Sequence, residues 1–360
     1  MMYSPLRYVG SILRKKRPIQ LTFFITRRCN SHCPFCFYLS RGDNEVDTSG
    51  ELSLSEIREI SRSLGNLLWL AFSGGEVYLR DDLVEISRVF YRNNSPSLLL
   101  YPTNGMLPEI IRRKTEQILK ECRKSVVVVK LSLDGVGGEH DLLRRTHGSF
   151  SKTMETYELL RGLLRIYPNF ELGVNTVFCS ENQDSIDDII DFVGGLSDIK
   201  THTVSLIRGS LADNRYKAVD YEKYLRAIGR LERNLKSRTS STYRFRGARL
   251  KAAQDIVQRR LIHATTTAQK RLIPCYAGRL NLVLTENGDV FPCEILRNPV
   301  GNVRESGYDM RRVMRSEKAE GVIRAIEGES CYCTHECYLM TNILFNARLY
   351  PALMREYLQL

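Results

Sequence analysis

The sequence predicts an α/β protein: a partial (β/α)6 barrel, then a helical bridge, then a small β-hairpin/helix domain. Six β-rich runs alternate with helical patterns in roughly the first 210 residues, and such alternation indicates right-handed βαβ units on a parallel sheet. Six strands are too few to close an eight-stranded barrel, so we expect one side to stay open. Two amphipathic helical patterns and a hairpin signal follow. The three parts are placed at 17–210, 211–270 and 271–360.

Each predicted strand is a short run of apolar and β-branched residues. The six strands are placed at Leu21–Thr26, Leu67–Phe72, Ser97–Leu100, Val126–Leu133, Glu171–Phe178 and Thr203–Ile207. The helices between them are placed at 53–65, 81–93, 108–123, 150–166 and 184–196. Apolar spacing in the bridge predicts two more helices, around 221–235 and 250–261. The later hairpin pairs 281–285 with 290–291 across a turn that contains Gly288.

Three cysteines follow the first predicted strand on a single loop. Cys29, Cys33 and Cys36 stand in the string TRRCNSHCPFC, a C-x3-C-x2-C spacing with an aromatic residue before the last cysteine. Three thiolates on one loop can hold three irons of a [4Fe–4S] cluster and leave the fourth iron open to a small molecule. A zinc loop with His32 as the fourth ligand is the alternative, although structural zinc sites usually draw their ligands from two loops.

Polar residues follow the other predicted strands at the same edge of the sheet. Ser73–Glu76 follows the second strand, Thr103–Gly105 follows the third, Ser132–Gly135 ends the fourth, and Asn175 lies in the fifth. Parallel α/β barrels place their active sites at the carboxyl ends of the strands. We therefore expect these residues and the cysteine loop to form one site.

The cysteine spacing, with Phe35 before the third cysteine, resembles the radical S-adenosylmethionine (SAM) superfamily. The resemblance implies that Cys29, Cys33 and Cys36 hold a cluster whose open iron binds the amino and carboxylate groups of SAM. It also implies reductive cleavage of SAM to methionine and a 5′-deoxyadenosyl radical, which takes a hydrogen atom from a substrate. The backbone of Phe35 is then expected near the adenine.

Further motifs resemble the SAM site of that family. The Gly-Gly-Glu string matches a segment that binds the SAM amino group, although Val77 stands where a proline is common. Arg144 matches an arginine that pairs with the SAM carboxylate, a bidentate task that suits a guanidinium. Ser132 and Asp134 resemble polar residues near the ribose and the carboxylate. The predicted SAM-binding set is Phe35, Gly74, Gly75, Glu76, Asn104, Ser132, Asp134, Arg144 and Asn175.

A second cysteine group lies near the C-terminus. Cys275 and Cys293 flank the predicted hairpin, and three more cysteines follow in the string CYCTHEC. Four thiolates from distant loops suit a protein-saturated [4Fe–4S] cluster, and a zinc ribbon-like site is the alternative. The arrangement resembles the SPASM/twitch extension of radical SAM enzymes, and five cysteines imply its single-cluster, twitch form. The predicted ligands are Cys275, Cys293, Cys333 and Cys337, with Cys331 as the competitor for the place of Cys333.

The excess positive charge of the chain is concentrated in the bridge. Residues 215–271 hold 16 of the 53 Lys and Arg and only 4 of the 41 Asp and Glu, so the rest of the chain is neutral. The segment is either a pair of solvated basic helices or a surface that attracts an anionic substrate, a membrane or an electron donor. Nucleic acid is not expected, since the sequence shows no stacking motif or known binding module.

The sequence also predicts a cytoplasmic protein. It has no apolar run of transmembrane length, and its N-terminal residues lack the apolar core of a secretory signal. Thiolates that bind clusters need a reducing compartment.

Together these features predict a radical SAM enzyme that uses SAM and two [4Fe–4S] clusters, one of them auxiliary, to abstract hydrogen from an unactivated C–H bond. The auxiliary cluster would assist oxidation or cross-linking. The expected substrate is a peptide, a protein or a small molecule. The alternative class is an anionic small molecule (a sugar, cyclitol or lipid precursor) rather than a peptide, which the basic bridge favours. A flavodoxin- or ferredoxin-type protein would donate electrons. The competing class is a non-catalytic iron–sulfur electron carrier or scaffold, which would need neither the Gly-Gly-Glu string nor Arg144.

Overall fold

The computed structural model describes residues 5–15, 17–39, 47–237, 243–296, 298–328 and 331–360. The strands are β1 Gln20–Thr26, β2 Trp69–Gly74, β3 Leu98–Thr103, β4 Val126–Ser132, β5 Phe170–Phe178, β6 Thr201–Leu206, β7 Asn281–Leu284, β8 Asp289–Phe291 and β9 Gly301–Asn302. The helices are α1 Val9–Arg14, α2 Leu54–Ser63, α3 Leu83–Asn94, α4 Pro108–Glu121, α5 Gly138–Arg144, α6 Ser149–Leu164, α7 Ile186–Gly195, α8 Tyr221–Lys236, α9 Ala248–Ala268, α10 Met310–Met314, α11 Glu317–Gly328, α12 Glu336–Leu344 and α13 Tyr350–Gln359.

The predicted α/β architecture is confirmed. The six predicted strands and the five helices between them are all present, with ends that differ from the predicted ones by at most three residues. Local sequence signals explain where two of these helices begin. Ser53 and Glu56 form a reciprocal capping box at the start of α2, and Pro108 is the first residue of α4. Helix α5 was not predicted, because a seven-residue helix that begins at the second of two glycines has little periodic signal.

The strands form one sheet in the order β6-β5-β4-β3-β2-β1-β7-β8-β9. Strands β1 to β6 are paired in parallel with their sequence neighbours, as expected for a partial barrel. The later hairpin extends this sheet: β7 pairs in parallel with β1, with Gln20 opposite Asn281 and Phe23 opposite Leu284. The segment that carries Cys275 and Cys293 is therefore attached to the strand that carries the first cysteine loop.

Side chains alternate between the two faces of the strands. In β4, Val127, Val129 and Leu131 join the main core between the sheet and the surrounding helices. Val128 joins the core on the inner face, where it packs in the same cluster as Met340 and Leu344 of α12. Helices α12 and α9 pack against each other, and residues of both line the space inside the curved sheet.

Much of the positive charge of the bridge is ion-paired. Arg230 pairs with Asp187 and Asp191 of α7, and Lys251 is buried beside Asp255. The two bridge helices thus do not form one free basic surface, although Arg226 makes no ion pair within the described residues. Among the described helices, none is long and apolar enough to cross a membrane.

Candidate functional site

The first cysteine loop leaves the carboxyl end of β1, and its three thiols are partly buried. Burial, together with the nearby charges of Glu76, Cys33 and Cys36, raises the pKa of the Cys29 thiol to about 12. The thiols are therefore close enough to repel one another as thiolates, and a bound cation would relieve that repulsion. The backbone N–H of Leu39 donates to Cys36 Sγ at 3.3 Å. The loop offers three adjacent sulfur ligands, which suits three irons of a four-iron cluster.

Two glycines, the last residue of β2 and the one after it, allow the cysteine loop to lie directly against them. The N–H of Gly75 donates to Thr26 O and the N–H of Glu76 donates to Arg28 O, both at 2.8 Å. A Cβ at Gly75 would clash with the Arg28 carbonyl, and Gly74 has a φ of +121° and would clash with the Thr26 carbonyl. The glycines are thus required by the backbone of the cysteine loop itself.

Glu76 is buried and held by three hydrogen bonds. Its Oε1 accepts from Thr103 Oγ1 at 2.9 Å and from the Tyr78 N–H at 3.2 Å, and its Oε2 accepts from the Asn104 N–H at 2.7 Å. Burial raises the pKa of the carboxyl to about 7, against the effect of these hydrogen bonds. A ligand ammonium beside this group would stabilise its ionised form.

Arg144 and Asp134 form a buried ion pair next to the cysteine loop. The Nε of Arg144 donates to Asp134 Oδ2 at 2.8 Å, and the other carboxylate oxygen accepts from the Val177 N–H at 2.7 Å. Burial raises the pKa of Cys33 to about 11, whereas the charge of Arg144 lowers it. Within the described residues this is the only hydrogen bond of the Arg144 side chain. Its terminal nitrogens therefore have no protein partner there and can bind an anion.

The other predicted SAM-binding residues lie at the same edge of the sheet. Asn104 Nδ2 donates to Asn30 Oδ1 at 2.7 Å, so Asn104 fixes the cysteine loop. Ser132 lies opposite Asn175 in the register of β4 and β5. Phe35 and Asn175 line a cavity inside the curved sheet. The predicted SAM-binding residues are thus distributed between this cavity and the buried groups behind the cysteine loop.

The cavity has a volume of about 290 Å³ and mostly apolar walls. Aromatic and aliphatic side chains from the cysteine loop, the strands and α12 form these walls: Phe35, Phe37, Trp69, Leu98, Val128, Val177 and Met340. A larger cavity of about 550 Å³ lies between α7, β6, α8 and α9, and none of the predicted site residues lines it. The position of the smaller cavity, not its size, makes it the candidate for substrate binding.

Two lysines inside the smaller cavity were not predicted as site residues. Lys130 Nζ donates to Thr201 Oγ1 at 2.5 Å and to Thr203 Oγ1 at 3.3 Å, and burial lowers its pKa to about 7. A Cβ at Gly173 would lie 2.7 Å from this Nζ, so the glycine makes room for the ammonium group. Lys251 of α9 pairs with Asp255 on the same wall. The sequence feature that could have identified Lys130 is the single basic residue of the run VVVVKLS, at a position that faces inward.

The C-terminal cysteine segment contributes another charged wall of this cavity. Arg208, after β6, donates to Glu336 Oε2 at 3.0 Å, and His335 Nε2 lies 2.5 Å from Glu294 Oε2. Cys337 lines the cavity beside them. The second cysteine group therefore adjoins the space that a substrate would occupy.

No three Cys, His, Asp or Glu side chains of the described residues converge closely enough to hold a single metal ion. A four-iron cluster differs from a single ion in this respect, because each of its thiolates binds a different iron. The three thiols of the first cysteine loop suit three irons of such a cluster.

Comparison with known proteins supports the same assignment. Residues 23–193 match the family described as the Radical SAM superfamily. An AdoMet-dependent heme synthase of Methanosarcina barkeri is 28% identical over 305 residues, which are 81% of this chain and 81% of that protein. The antilisterial bacteriocin subtilosin biosynthesis protein AlbA of Bacillus subtilis is 29% identical over 146 residues, which are 40% of this chain and 30% of AlbA.

Solved structures share the fold. Streptococcus suis SuiB bound to S-adenosylmethionine superposes with a TM-score of 0.62 at 15% identity, over 89% of this chain and 71% of SuiB. The enzyme anSMEcpe with bound AdoMet has the same TM-score, 0.62, at 16% identity, over 95% of this chain and 96% of that one. Because the matched sequence segment contains the cysteine loop, Glu76 and Arg144, residues 23–193 are a radical SAM domain, and the chain that contains it is an enzyme.

Proposed function

We propose that this enzyme abstracts a hydrogen atom from an unactivated C–H bond of a peptide or protein side chain, with one auxiliary [4Fe–4S] cluster assisting. When bound, the first cluster and SAM supply a 5′-deoxyadenosyl radical through one-electron cleavage of SAM. The observation that carries the proposal is the cavity of about 290 Å³, which has Phe35 and Asn175 of the predicted SAM-binding set on one wall and Cys337 of the second cysteine group on another.

The residues of this chain have definable tasks in such a reaction. Cys29, Cys33 and Cys36 would hold the first cluster. Glu76 would accept the SAM ammonium group, and the free terminal nitrogens of Arg144 would bind the SAM carboxylate. Both charges are buried and held by hydrogen bonds to neighbouring groups, so SAM would meet preorganised partners.

The cavity walls favour chemistry that must exclude water. Aromatic and aliphatic residues make most of the cavity surface, which leaves few polar groups to hold water near a reactive carbon. A volume of about 290 Å³ lies at the small end of the range for ligand sites. It suits one or two amino-acid side chains, with the rest of a peptide outside.

Relatives support a peptide substrate. AlbA is named for the biosynthesis of a bacteriocin, and a further relative, SkfB of Bacillus subtilis, is named as a sporulation killing factor maturation protein. SuiB has also been solved bound to its precursor peptide SuiA, at 16% identity to this chain.

A carboxylated small molecule is the second candidate. The heme synthase of Methanosarcina barkeri matches 81% of this chain, and Lys130 and Lys251 place two ammonium groups in the cavity. These groups would suit carboxylates such as those of a tetrapyrrole. A macrocycle of that size exceeds about 290 Å³, so only a side group would enter unless the cavity widens.

Anaerobic turnover tests the proposal. The reconstituted enzyme is given SAM and dithionite, or reduced flavodoxin as the proposed donor, and 5′-deoxyadenosine is measured with and without candidate substrates. We expect 5′-deoxyadenosine without substrate, and faster formation with a peptide, together with loss of peptide mass in multiples of two hydrogens if oxidation or cross-linking follows. Stimulation by a carboxylated iron tetrapyrrole, and by no peptide, would favour the second candidate. Absence of 5′-deoxyadenosine under every condition would refute both.

A further inference from the structure

The cavity inside the curved sheet contains one basic group without an acidic partner. Three Lys and Arg side chains line this cavity: Lys130, Lys251 and Arg208. Lys251 is paired with Asp255, and Arg208 is paired with Glu336. Lys130 forms no ion pair within the part of the chain that the structure describes, and its hydrogen bonds there go to threonine oxygens.

The ammonium group of Lys130 is held by neutral oxygens, and two of its three contacts are long. Its Nζ donates to Thr201 Oγ1 at 2.5 Å, to Thr203 Oγ1 at 3.3 Å and to the Thr201 carbonyl at 3.4 Å. Buried charges in proteins are normally paired, because an unpaired charge loses the stabilisation that water gives it. The two long contacts therefore mark a place where an anion would bind better than the neutral oxygens do.

Two carboxylates lie near enough to act on Lys130 electrostatically, Asp255 and Glu171, and both hold other donors. Asp255 accepts from the Tyr243 hydroxyl at 2.8 Å in addition to its lysine partner. Glu171 Oε1 accepts the Arg244 N–H at 2.5 Å. Neither carboxylate forms an ion pair with Lys130, so the missing partner has to come from outside the chain.

The register of the sheet places this ammonium group beside the predicted SAM-binding residues. Lys130 and Ser132 are two residues apart on β4, so their side chains face the same side of the sheet. Ser132 is opposite Asn175, and Asn175 is opposite Thr203, which contacts Lys130. Gly173 has no Cβ and leaves room for Nζ. A group bound to Lys130 would therefore lie next to the row of residues expected to contact SAM.

We infer that Lys130 binds a carboxylate of the substrate, and that the peptide substrate carries a Glu or Asp side chain at or next to the residue that loses hydrogen. The inference rests on the proposed function and names a group that its substrate must have. It assigns the recognition to Lys130 alone, because Lys251 is already paired with Asp255. The apolar walls of the cavity strengthen such a charged pair. A site of this kind rejects an analogue that lacks the carboxylate.

Ligand-observed fluorine NMR on the reconstituted enzyme tests the carboxylate site. The probes are trifluorobutyrate and trifluorobutanamide, which have the same carbon chain and differ in charge. Wild type should bind the carboxylate at least about tenfold more tightly than the amide. Lys130→Met, which keeps the side-chain length without the charge, should bind the two probes equally. No preference in wild type, or an unchanged preference in Lys130→Met, would overturn the inference.

Two further variants control the binding experiment. Lys124→Met removes an exposed lysine that precedes β4, and it should keep the wild-type preference. Lys130→Arg keeps the positive charge and should keep part of the preference. Loss of the preference in Lys124→Met as strongly as in Lys130→Met would place the binding on the protein surface and refute the assignment.

Turnover separates this inference from the proposed function. Hexapeptide libraries that differ only in a fixed central Glu or Gln are added with SAM and dithionite, and 5′-deoxyadenosine is measured. We expect the Glu library to stimulate wild type more than the Gln library does, and Lys130→Met to lose that difference. Equal stimulation of wild type by the two libraries would refute the requirement for an acidic residue.

A carboxylated iron tetrapyrrole and its methyl ester form the matched small-molecule pair. Stimulation by the acid and not by the ester, with none by either library, would refute the peptide substrate. Combined with a carboxylate preference that depends on Lys130 in the NMR experiment, that result would support Lys130 as the carboxylate site of a small-molecule substrate.

Discussion

The two cysteine regions differ in how their ligands are brought together. The first has three cysteines within eight residues, on one loop held by backbone hydrogen bonds to Gly75 and Glu76. The second collects cysteines from either side of a hairpin and from the segment before α12, across 63 residues of sequence. The first can therefore be recognised from spacing alone, whereas the second depends on the pairing of β7 with β1.

The regions also differ in their surroundings. Behind the first loop lie Glu76, Asp134 and Arg144, each at most 6% exposed. The second region includes the exposed Cys331 and adjoins a cavity with several charged groups. We therefore expect changes near the first loop to have larger effects on SAM chemistry and on folding than changes near the second.

The largest expected effect comes from replacing cysteines, and it distinguishes the two cysteine regions. Replacing Cys29, Cys33 and Cys36 with Ala should reduce 5′-deoxyadenosine formation to the level of a protein-free control and remove about half of the iron. Cys293→Ala should also remove about half of the iron, yet leave substrate-free SAM cleavage within about threefold of the wild-type rate, because the barrel holds SAM. Iron analysis and a chromatographic assay of 5′-deoxyadenosine measure both. Equal loss of SAM cleavage in the two variants would show that the regions are not independent.

Arg144→Ala should have the next largest effect. It leaves Asp134 buried without its partner, which costs about 3–5 kcal/mol of folding free energy. Loss of a charged hydrogen bond to SAM should also weaken binding by about 10- to 100-fold. Arg144→Lys, which keeps the charge, should recover most of the stability and less of the affinity. Arg113→Ala, at an exposed position of α4, is the control. Denaturant unfolding and SAM titration provide the readouts, and an unchanged SAM affinity in both Arg144 variants would contradict the role of Arg144.

Gly75→Ala tests how the first loop is held. The added methyl would clash with the Arg28 carbonyl, and we expect a loss of about 1–3 kcal/mol of stability and a reduced yield of the first cluster. Gly162→Ala in α6 is the matched control, because nothing lies within 4 Å of its added methyl; there we expect a gain of about 0.5–1 kcal/mol. If Gly75→Ala folds and loads iron like wild type, the close approach of the two segments is not required.

We expect pH to have a smaller effect on SAM affinity and on stability, through the ionisation of Glu76. Burial raises the pKa of this carboxyl to about 7 in the unliganded enzyme, so at pH 6 it is mostly protonated and cannot pair with an ammonium group. SAM affinity should rise by about tenfold from pH 6 to pH 8 as the carboxyl ionises. The unliganded protein should lose stability as pH rises towards 7, because its folded form keeps a proton that the unfolded chain has released.

Glu76→Gln checks this assignment. The variant should bind SAM more weakly at pH 8, and both its SAM affinity and its stability should depend less on pH than those of wild type. Binding isotherms and unfolding curves at pH 6, 7 and 8 give the comparison. A wild-type SAM affinity that is flat over this range would contradict a raised pKa at Glu76.

The smallest effect is expected at the bridge. Arg230→Ala breaks exposed pairs with Asp187 and Asp191, and such pairs contribute about 0.2–1 kcal/mol. Iron content and SAM cleavage with dithionite should not change. A large loss of either would mean that α8 supports one of the cysteine regions through contacts beyond these ion pairs.

The sequence alone predicted the parallel strands, the first cysteine loop and the residues around it. Those features depend on local periodicity and short spacings, as in the alternation of β4 or the string TRRCNSHCPFC. It did not reveal that Lys130 is accommodated by Gly173, because these residues meet only when β4 and β5 pair with Lys130 opposite Gly173. Nor did spacing show which side chains face the cavity.

The sequence by itself determined the fold class, the superfamily and one complete set of three thiols on a loop. Only the tertiary structure decided that the late hairpin joins β1, that the charges of α9 lie inside the barrel, and that Cys337 lines the cavity. The physical reason is the separation of the cysteines along the sequence. Cysteines on one short loop must lie close together, because the few residues between them span only a short distance. Cysteines spread over 63 residues of sequence come together only through sheet pairing and the direction of each side chain, which their spacing does not encode.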